Sequence, residues 1–277
     1  MSVVAMLQGT SKEDRSTTLS ALALAKKMNV PVRGLCALPD PNSAMMVIAT
    51  PEASGLTGTT TQSIIEMQDQ VLKVSRECFE ETCDTGAHGL SCEFIHDVNT
   101  VEQSGSNAAT LAEAVIFPRT AAKGGEPLNL AFEHVLMTAG LPVVVAGTYE
   151  PFNGPAIIAW DGSNGAARAV RFHLPILRAM GEVIIAQNKK DLKKDPDREI
   201  AAPHALQDWL TFHGITSKTE EIEGEVATGL LAMAKGASAS MIVAGAYGHS
   251  RLTERLFGGT TRRLLTAEEA PALALAH

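Results

Sequence analysis

None of the apolar runs in the 277 residues is long enough to cross a bilayer, which takes about 20 residues. The first residues, MSVVAMLQGTSKED, have no basic n-region and only a short apolar run, so they do not read as a secretory signal. Cysteine is scarce: Cys36, Cys78, Cys83 and Cys92 all fall in the first half. Without an export signal they read as reduced thiols of a cytoplasmic protein. Cys78, Cys83 and Cys92, taken with His88 and His96, follow no compact zinc spacing, so no metal site is expected. Cys92, Phe94 and His96 would instead share one strand face and pack into a core. The eight histidines include no HExxH arrangement. A basic excess is missing too, since the net charge is -8 with both signs interspersed. That balance argues against extended nucleic-acid binding, while a locally positive pocket could still take a small anion.

What is present is the pattern of an α/β protein, with 45% hydrophobic and 19% charged residues. In the second half short apolar strands alternate with helices. PAIIAWDG is a strand, AARAVRFHLPILRAMG a helix with an early proline kink, EVIIAQN a strand and DREIAAPHALQDWLTFHG a helix. SKTEEIEG, the helix EVATGLLAMAKGAS and the strand SMIVAGA follow, and PALALA is the last strand. Continuous apolar runs mark strands covered on both faces, as in a doubly wound parallel sheet.

The first half repeats this plan. VVAMLQG answers AIIAWDG, VPVRGLCAL answers EVIIAQN, AEAVIFP answers ASMIVAG, and LPVVVAG answers PALALAH. The offset is 153 from Gly9 to Gly162 but 129 from Pro142 to Pro271, so the first half holds 24 extra residues. The Pro-, Gly- and Thr-rich stretch PDPNSAMMVIATPEASGLTGTTTQ, residues 39–62, reads as a long loop that absorbs them. GTYEPFNGP has linker composition, which gives two expected domains, 1–147 and 155–277. The short apolar last strands of each half would lie at sheet edges and tend to pair.

The most informative stretch is GAYGHSRLTERLFGGTTRRLL, residues 245–265. Gly245 and Gly248 follow a strand; Gly258 and Gly259 precede a helix, for which Thr260 would be a good N-cap. An isolated glycine pair means no more than a tight turn. Here the preceding strand, the spacing and the following helix agree on an anion site, with main-chain N–H groups open to a ligand. Arg251 and Arg255 would share one face of the intervening segment. GAYGHS is neither G-x-G-x-x-G nor a Walker loop, because the phosphate-gripping lysine is absent. GSNG after Asp161 is not a nucleophile elbow, and no residue stands out as a hydrolytic base, so no catalytic residues are expected.

Gly245-Ala246-Tyr247-Gly248, nine residues and then Gly258 resemble the glycine signature of nucleotide-binding universal stress proteins. In that signature a Ser or Thr follows the third glycine; here Gly259 takes that place, with Thr260 and Thr261 behind it. The resemblance covers nearly the whole chain, strongly in the second half and by pattern in the first. It implies two adenine-nucleotide α-hydrolase-like domains in tandem, with ATP, and Mg2+ where it accompanies ATP, in the second. The family's aspartate at the end of the first strand matches Asp161, followed by Gly162 and Ser163, although an aspartate there could equally cap the next helix.

Backbone around Gln187 and Asn188 would meet the adenine edge, the first glycine the ribose, and Gly258, Gly259, Thr260 and Thr261 the phosphates, with His249 and Arg251 nearby. The first half has Gln8 in place of Asp161 and no matching glycine spacing, Gly124-Gly125 being at most a remnant, so it is expected not to bind. The resemblance further implies an internal pseudo-dimer through the last strands, with homodimers and protein partners left open. Two rival readings stand beside this one: a member that has lost nucleotide and serves as an interaction module, and a slow ATPase. An enzyme of the wider class that adenylates its substrate would need HxGH or SGGxDS, and neither occurs.

Overall fold

The structure, a computed structural model, describes residues 2–40, 57–148, 153–188, 202–246 and 259–277. In the first half the elements run β1 (Val3–Leu7), α1 (Ser11–Met28), β2 (Val32–Leu38), α2 (Thr57–Gly86), β3 (Cys92–Val98), α3 (Val101–Leu111), β4 (Ala114–Phe117), α4 (Asn129–Glu133) and β5 (Val143–Val145). The second half gives β6 (Ala156–Ala159), α5 (Asn164–Phe172), α6 (Leu174–Met180), β7 (Glu182–Gln187), α7 (Pro203–Phe212), β8 (Thr216–Glu221), α8 (Val226–Gly236), β9 (Met241–Gly245), α9 (Gly259–Thr266) and β10 (Ala272–Ala276).

All ten strands join one sheet in the order β3-β2-β1-β4-β5-β10-β9-β6-β7-β8. Every pairing is parallel except β5 with β10, where Val144 faces Ala274 and the two halves meet. Each half therefore has the same doubly wound order, and strand order reverses between β1 and β4 and again between β6 and β9. The registers correspond as well: Val3 stands beside Ala114, and Ala156 beside Met241.

Buried-strand composition explains the sheet. VVAML, AVIF, AIIA and ALALA alternate side chains between two covered faces and leave neither to water. One core gathers Leu24, Phe79, Ile158, Trp160, Ile176 and Leu210. The opposite core gathers Phe117, Phe132, Leu136, Leu230, Leu264 and Leu265. Both cores run through the two halves. The ends of the connection are tied to the second half, Thr148 N donating to Ala270 O at 2.9 Å and Gly154 N to Ser240 Oγ at 2.7 Å.

Two sequence expectations change, and one stretch left unassigned forms a strand. Residues 41–56 of the expected long loop lie outside the described residues, but its last residues, Thr57 to Gln62, belong to α2. Their composition weakens a helix without forbidding one, and the helix-forming run behind them carries the turn backwards. SKTEEIEG carries no alternating signal and forms β8 nonetheless, at the sheet edge, where a polar strand with Lys218 Nζ 2.8 Å from Glu220 discourages further pairing. The kinked helix is two helices broken at His173, because Pro175 cannot continue α5 and instead opens α6.

Candidate functional site

The carboxyl ends of β6, β7 and β9 come together where strand order reverses, the place where open α/β sheets hold ligands. Asp161 is exposed just beyond β6, and its Oδ1 accepts from Ser163 N at 2.9 Å. Gly162 between them has φ +73°, a conformation that a side chain disfavours. The alternative role for Asp161 as helix cap falls instead to Ser163, whose Oγ accepts from Ala166 N at 3.2 Å at the start of α5. Asp161 thus shapes the turn while its carboxylate stays in solvent.

Gly245 ends β9 against this turn. A Cβ on Gly245 would lie 2.7 Å from the Gly165 carbonyl carbon and 2.9 Å from Ala166 N, so its missing side chain lets strand and helix start touch. This is a packing role, which the spacing of glycines alone did not reveal; Gly165, in GSNG, was the available clue. The next residue is fixed by Ala246 N donating to Ala276 O at 2.8 Å on β10.

Across the edge, Asn188 Nδ2 donates to Gly224 O at 3.2 Å, tying the end of β7 to the turn before α8. Glu225 caps α8: its carboxylate accepts from Ala227 N at 3.1 Å and from Thr228 N at 2.8 Å. The hydroxyl and main-chain N–H of Thr228 lead in holding the carboxyl down at about 2. Arg263 of α9 sits 2.9 Å from the same carboxylate, so α8 and α9 are joined at the rim of the site. Glu225 and Arg263 were not singled out from sequence. E-x-x-T at a helix start was the readable signal for the first, and the second needs the tertiary contact.

Helix α9 begins at Gly259. Thr260 therefore lies inside the helix and is not the N-cap expected of it. Among the described residues, a Cβ on Gly259 would meet nothing within 4 Å. Thr261 is buried, and Leu264 and Leu265 anchor the helix in the core. Gly248, His249, Arg251 and Gly258 lie outside the described residues. The structure brings together Asp161, Gly162, Ser163, Gly245 and, across the rim, Asn188. Among the described residues no group of three or more His, Cys, Asp or Glu could hold a metal ion. No described helix is long and apolar enough to cross a membrane.

The matching edge of the first half is filled. Asp14, fully buried, accepts from Gln8 N at 2.8 Å, Gly9 N at 3.0 Å and the Ser75 hydroxyl at 2.9 Å. Gln8 Nε2 donates to Thr120 Oγ1 at 3.3 Å, and Val71 of α2 lies directly over Gly9. Among the described residues, a Cβ on Gly124 or Gly125, in the loop before α4, would meet nothing within 4 Å.

Residues 154–275 match the universal stress protein family. No curated protein matches the chain. Among solved structures, the chain is similar to a universal stress protein from Archaeoglobus fulgidus DSM 4304, at TM-score 0.62 and 16% identity over 99% of this chain and 97% of that one. It is also similar to a functionally unknown protein from Pseudomonas aeruginosa PAO1, at TM-score 0.53 and 16% identity over 99% and 92%. At that identity the likeness speaks for the fold, and it spans both halves. The family match lies in the second half and the first half repeats the same strand order, so the chain is similar to the universal stress proteins, with the fold laid down twice.

Proposed function

We propose that the second half binds ATP or a related adenine nucleotide at the carboxyl ends of β6, β7 and β9, and that the first half does not. The reading is carried by one observation: in the sequence the glycine spacing G-x-x-G-x9-G starts at the end of β9, the strand beside β6 where strand order reverses. Asp161 and Asn188 would face the nucleoside. Backbone N–H groups from Gly258 to Thr261, with Ser163, His249 and Arg251 nearby, would face the phosphates and any Mg2+ they carry. That no described residue stands over Gly259 fits a ligand that touches backbone. In a chain of net charge -8, main-chain donors and helix starts attract an anion without a basic surface.

No described residue is placed as a hydrolytic base, so the protein would act in the cytoplasmic stress response by conformation or by partner binding rather than turnover. Gly259 in the Ser/Thr position favours a second reading, a member that no longer binds nucleotide and serves as an interaction module. Calorimetric titration of the full chain with ATP and Mg2+ separates the two. The first reading expects one site per chain and at least about a tenfold loss of affinity in Gly248→Val, equivalent to about 1.4 kcal/mol. Equal affinity in both proteins removes the proposed site, and no binding by the natural chain leaves the second reading.

A further inference from the structure

Cys83 stands in the last turns of α2, and Cys92 is the first residue of β3. The connection folds back sharply. Ala87 N donates to Cys83 O at 2.8 Å, Leu90 N donates to Ala87 O at 3.0 Å, and His88 and Gly89 take φ of 45° and 93°. This return places Cys92 against the core that holds Cys83, with Phe79, one helical turn before Cys83, packed on Phe94, two residues after Cys92 on the same strand face. Cys83 is 6% exposed and Cys92 is half-buried at the edge of the same core. Beneath them Phe79 and Phe94 pack at 6.1 Å, and the Arg76 guanidinium lies 4.4 Å from the Phe94 ring centre, holding α2 on β3. The other two thiols are directed elsewhere: Cys78 Sγ donates to Ser11 O at 3.3 Å, and Cys36 is buried on β2 beside Ser75.

We propose that Cys83 and Cys92 form a redox-modification site that a hydroperoxide such as hydrogen peroxide closes to a disulfide, pinning the end of α2 to edge strand β3. The half-buried Cys92 reacts first. Its sulfur attacks the peroxide, an S–O bond forms, the O–O bond breaks, and the leaving hydroxide takes the thiol proton as water. Cys83 sulfur then attacks the sulfenic sulfur of Cys92, the S–S bond forms, the S–O bond breaks, and a second water leaves with the Cys83 proton. Two electrons pass from the two thiols to one peroxide. Burial pushes the Cys83 thiol up, which keeps it protonated and slow toward peroxide itself. The same helix carries Val71 and Ser75, which seal the tip of β1, so the bridge would tighten the filled edge of the first half.

The full-length chain is treated with stoichiometric hydrogen peroxide, alkylated, and analysed by intact mass and peptide mapping. The proposal expects a loss of about 2 Da, one bridge joining Cys83 to Cys92, and alkylated Cys36 and Cys78. Cys83→Ser should stop at a sulfenic acid on Cys92, about 16 Da heavier and trapped by a cyclic 1,3-diketone. Cys92→Ser should show neither change, with circular dichroism confirming that both variants are folded. In the oxidised natural chain, amide exchange of residues 84–91 should slow about tenfold. Absence of the 2 Da loss, or bridging through Cys36, Cys78 or a second chain, overturns the proposal.

Discussion

The turn that leaves the first strand of each half is built in two ways. After β1, Gln8 N and Gly9 N are both held by buried Asp14, α2 lies over Gly9, and Gln8 reaches Thr120. After β6 the residue at the position of Asp14 is Ala167, and Asp161, at the position of Gln8, bonds Ser163 while its carboxylate stays exposed. After β4 the chain passes through Pro118 into a tight turn at Arg119–Ala122, and the Arg119 guanidinium donates to the carbonyl oxygens of Ala146 and Leu264. The residue matching Pro118 in register is Gly245, from which the glycine segment departs. One sheet can therefore be copied with its cores intact while one copy fills the carboxyl edge with its own side chains. Core packing and edge chemistry are separable, and substitutions at the edge should read out which copy is which.

The sharpest way to break the difference is Gly245→Val. Its Cβ would fall 2.7 Å from the Gly165 carbonyl carbon, and backbone at a helix start cannot yield as a flexible side chain can. A loss of about 4 kcal/mol is expected in urea unfolding. The exchange Pro118→Gly, which borrows the second half's residue, should cost about 1 kcal/mol, chiefly through the freer unfolded chain. Equal effects would mean that the strand–helix contact at Gly245 is not tight.

Next in size is Asp14→Ala, which leaves Gln8 N and Gly9 N without their acceptor in a closed turn. Burial pushes the Asp14 carboxyl above the usual range, while the two main-chain N–H groups and Ser75 pull it back. Removing the acceptor should cost about 3 kcal/mol. Asp14→Asn should cost roughly half of that, because its amide can accept from one N–H but must turn its NH2 toward the other. Denaturant unfolding of the three proteins checks the order. A neutral Asp14→Ala would show that water reaches the turn and that the first edge is not sealed.

How much of this could be read from residues follows the same division. The apolar runs VVAML, EVIIAQ, MIVAG and ALALA declare buried strands because period and composition act locally. Strand β8 was silent because an edge needs no apolar face, and the start of α2 was hidden because a helix propagates through poor formers once nucleated. The glycine signature starts where β9 ends, yet its reading for Gly245 omitted the contact with Gly165, which belongs to three dimensions. Asp14 gave no sign at all. An acidic residue in the first turn of an amphipathic helix ordinarily faces water, and only the closing of α2 over β1 buries it.

The smallest effect sharpens the comparison at the helix that follows each turn. Helix α1 runs unbroken through Ser20, whereas the matching position in the second half is His173, at the break between α5 and α6. Its Nδ1 lies 2.9 Å from Ala169 O, and the ring is 2% exposed, near the backbone of Val143 on β5. Burial lowers its pKa from 6.5 to about 4, with the Ala169 and Val143 backbone opposing only in part. The unfolded chain therefore takes up this proton first. The stability carried by neutral His173 is complete above pH 6.5 and drains away as pH falls from there toward 4. Between pH 7 and pH 5 the loss should be about 2 kcal/mol. Urea unfolding at both values, on the natural chain and on His173→Gln, isolates the contribution, since the variant should lack this part of the pH slope. An unchanged slope would place the acid sensitivity outside this helix break and leave Ser20 and His173 equivalent as packing residues.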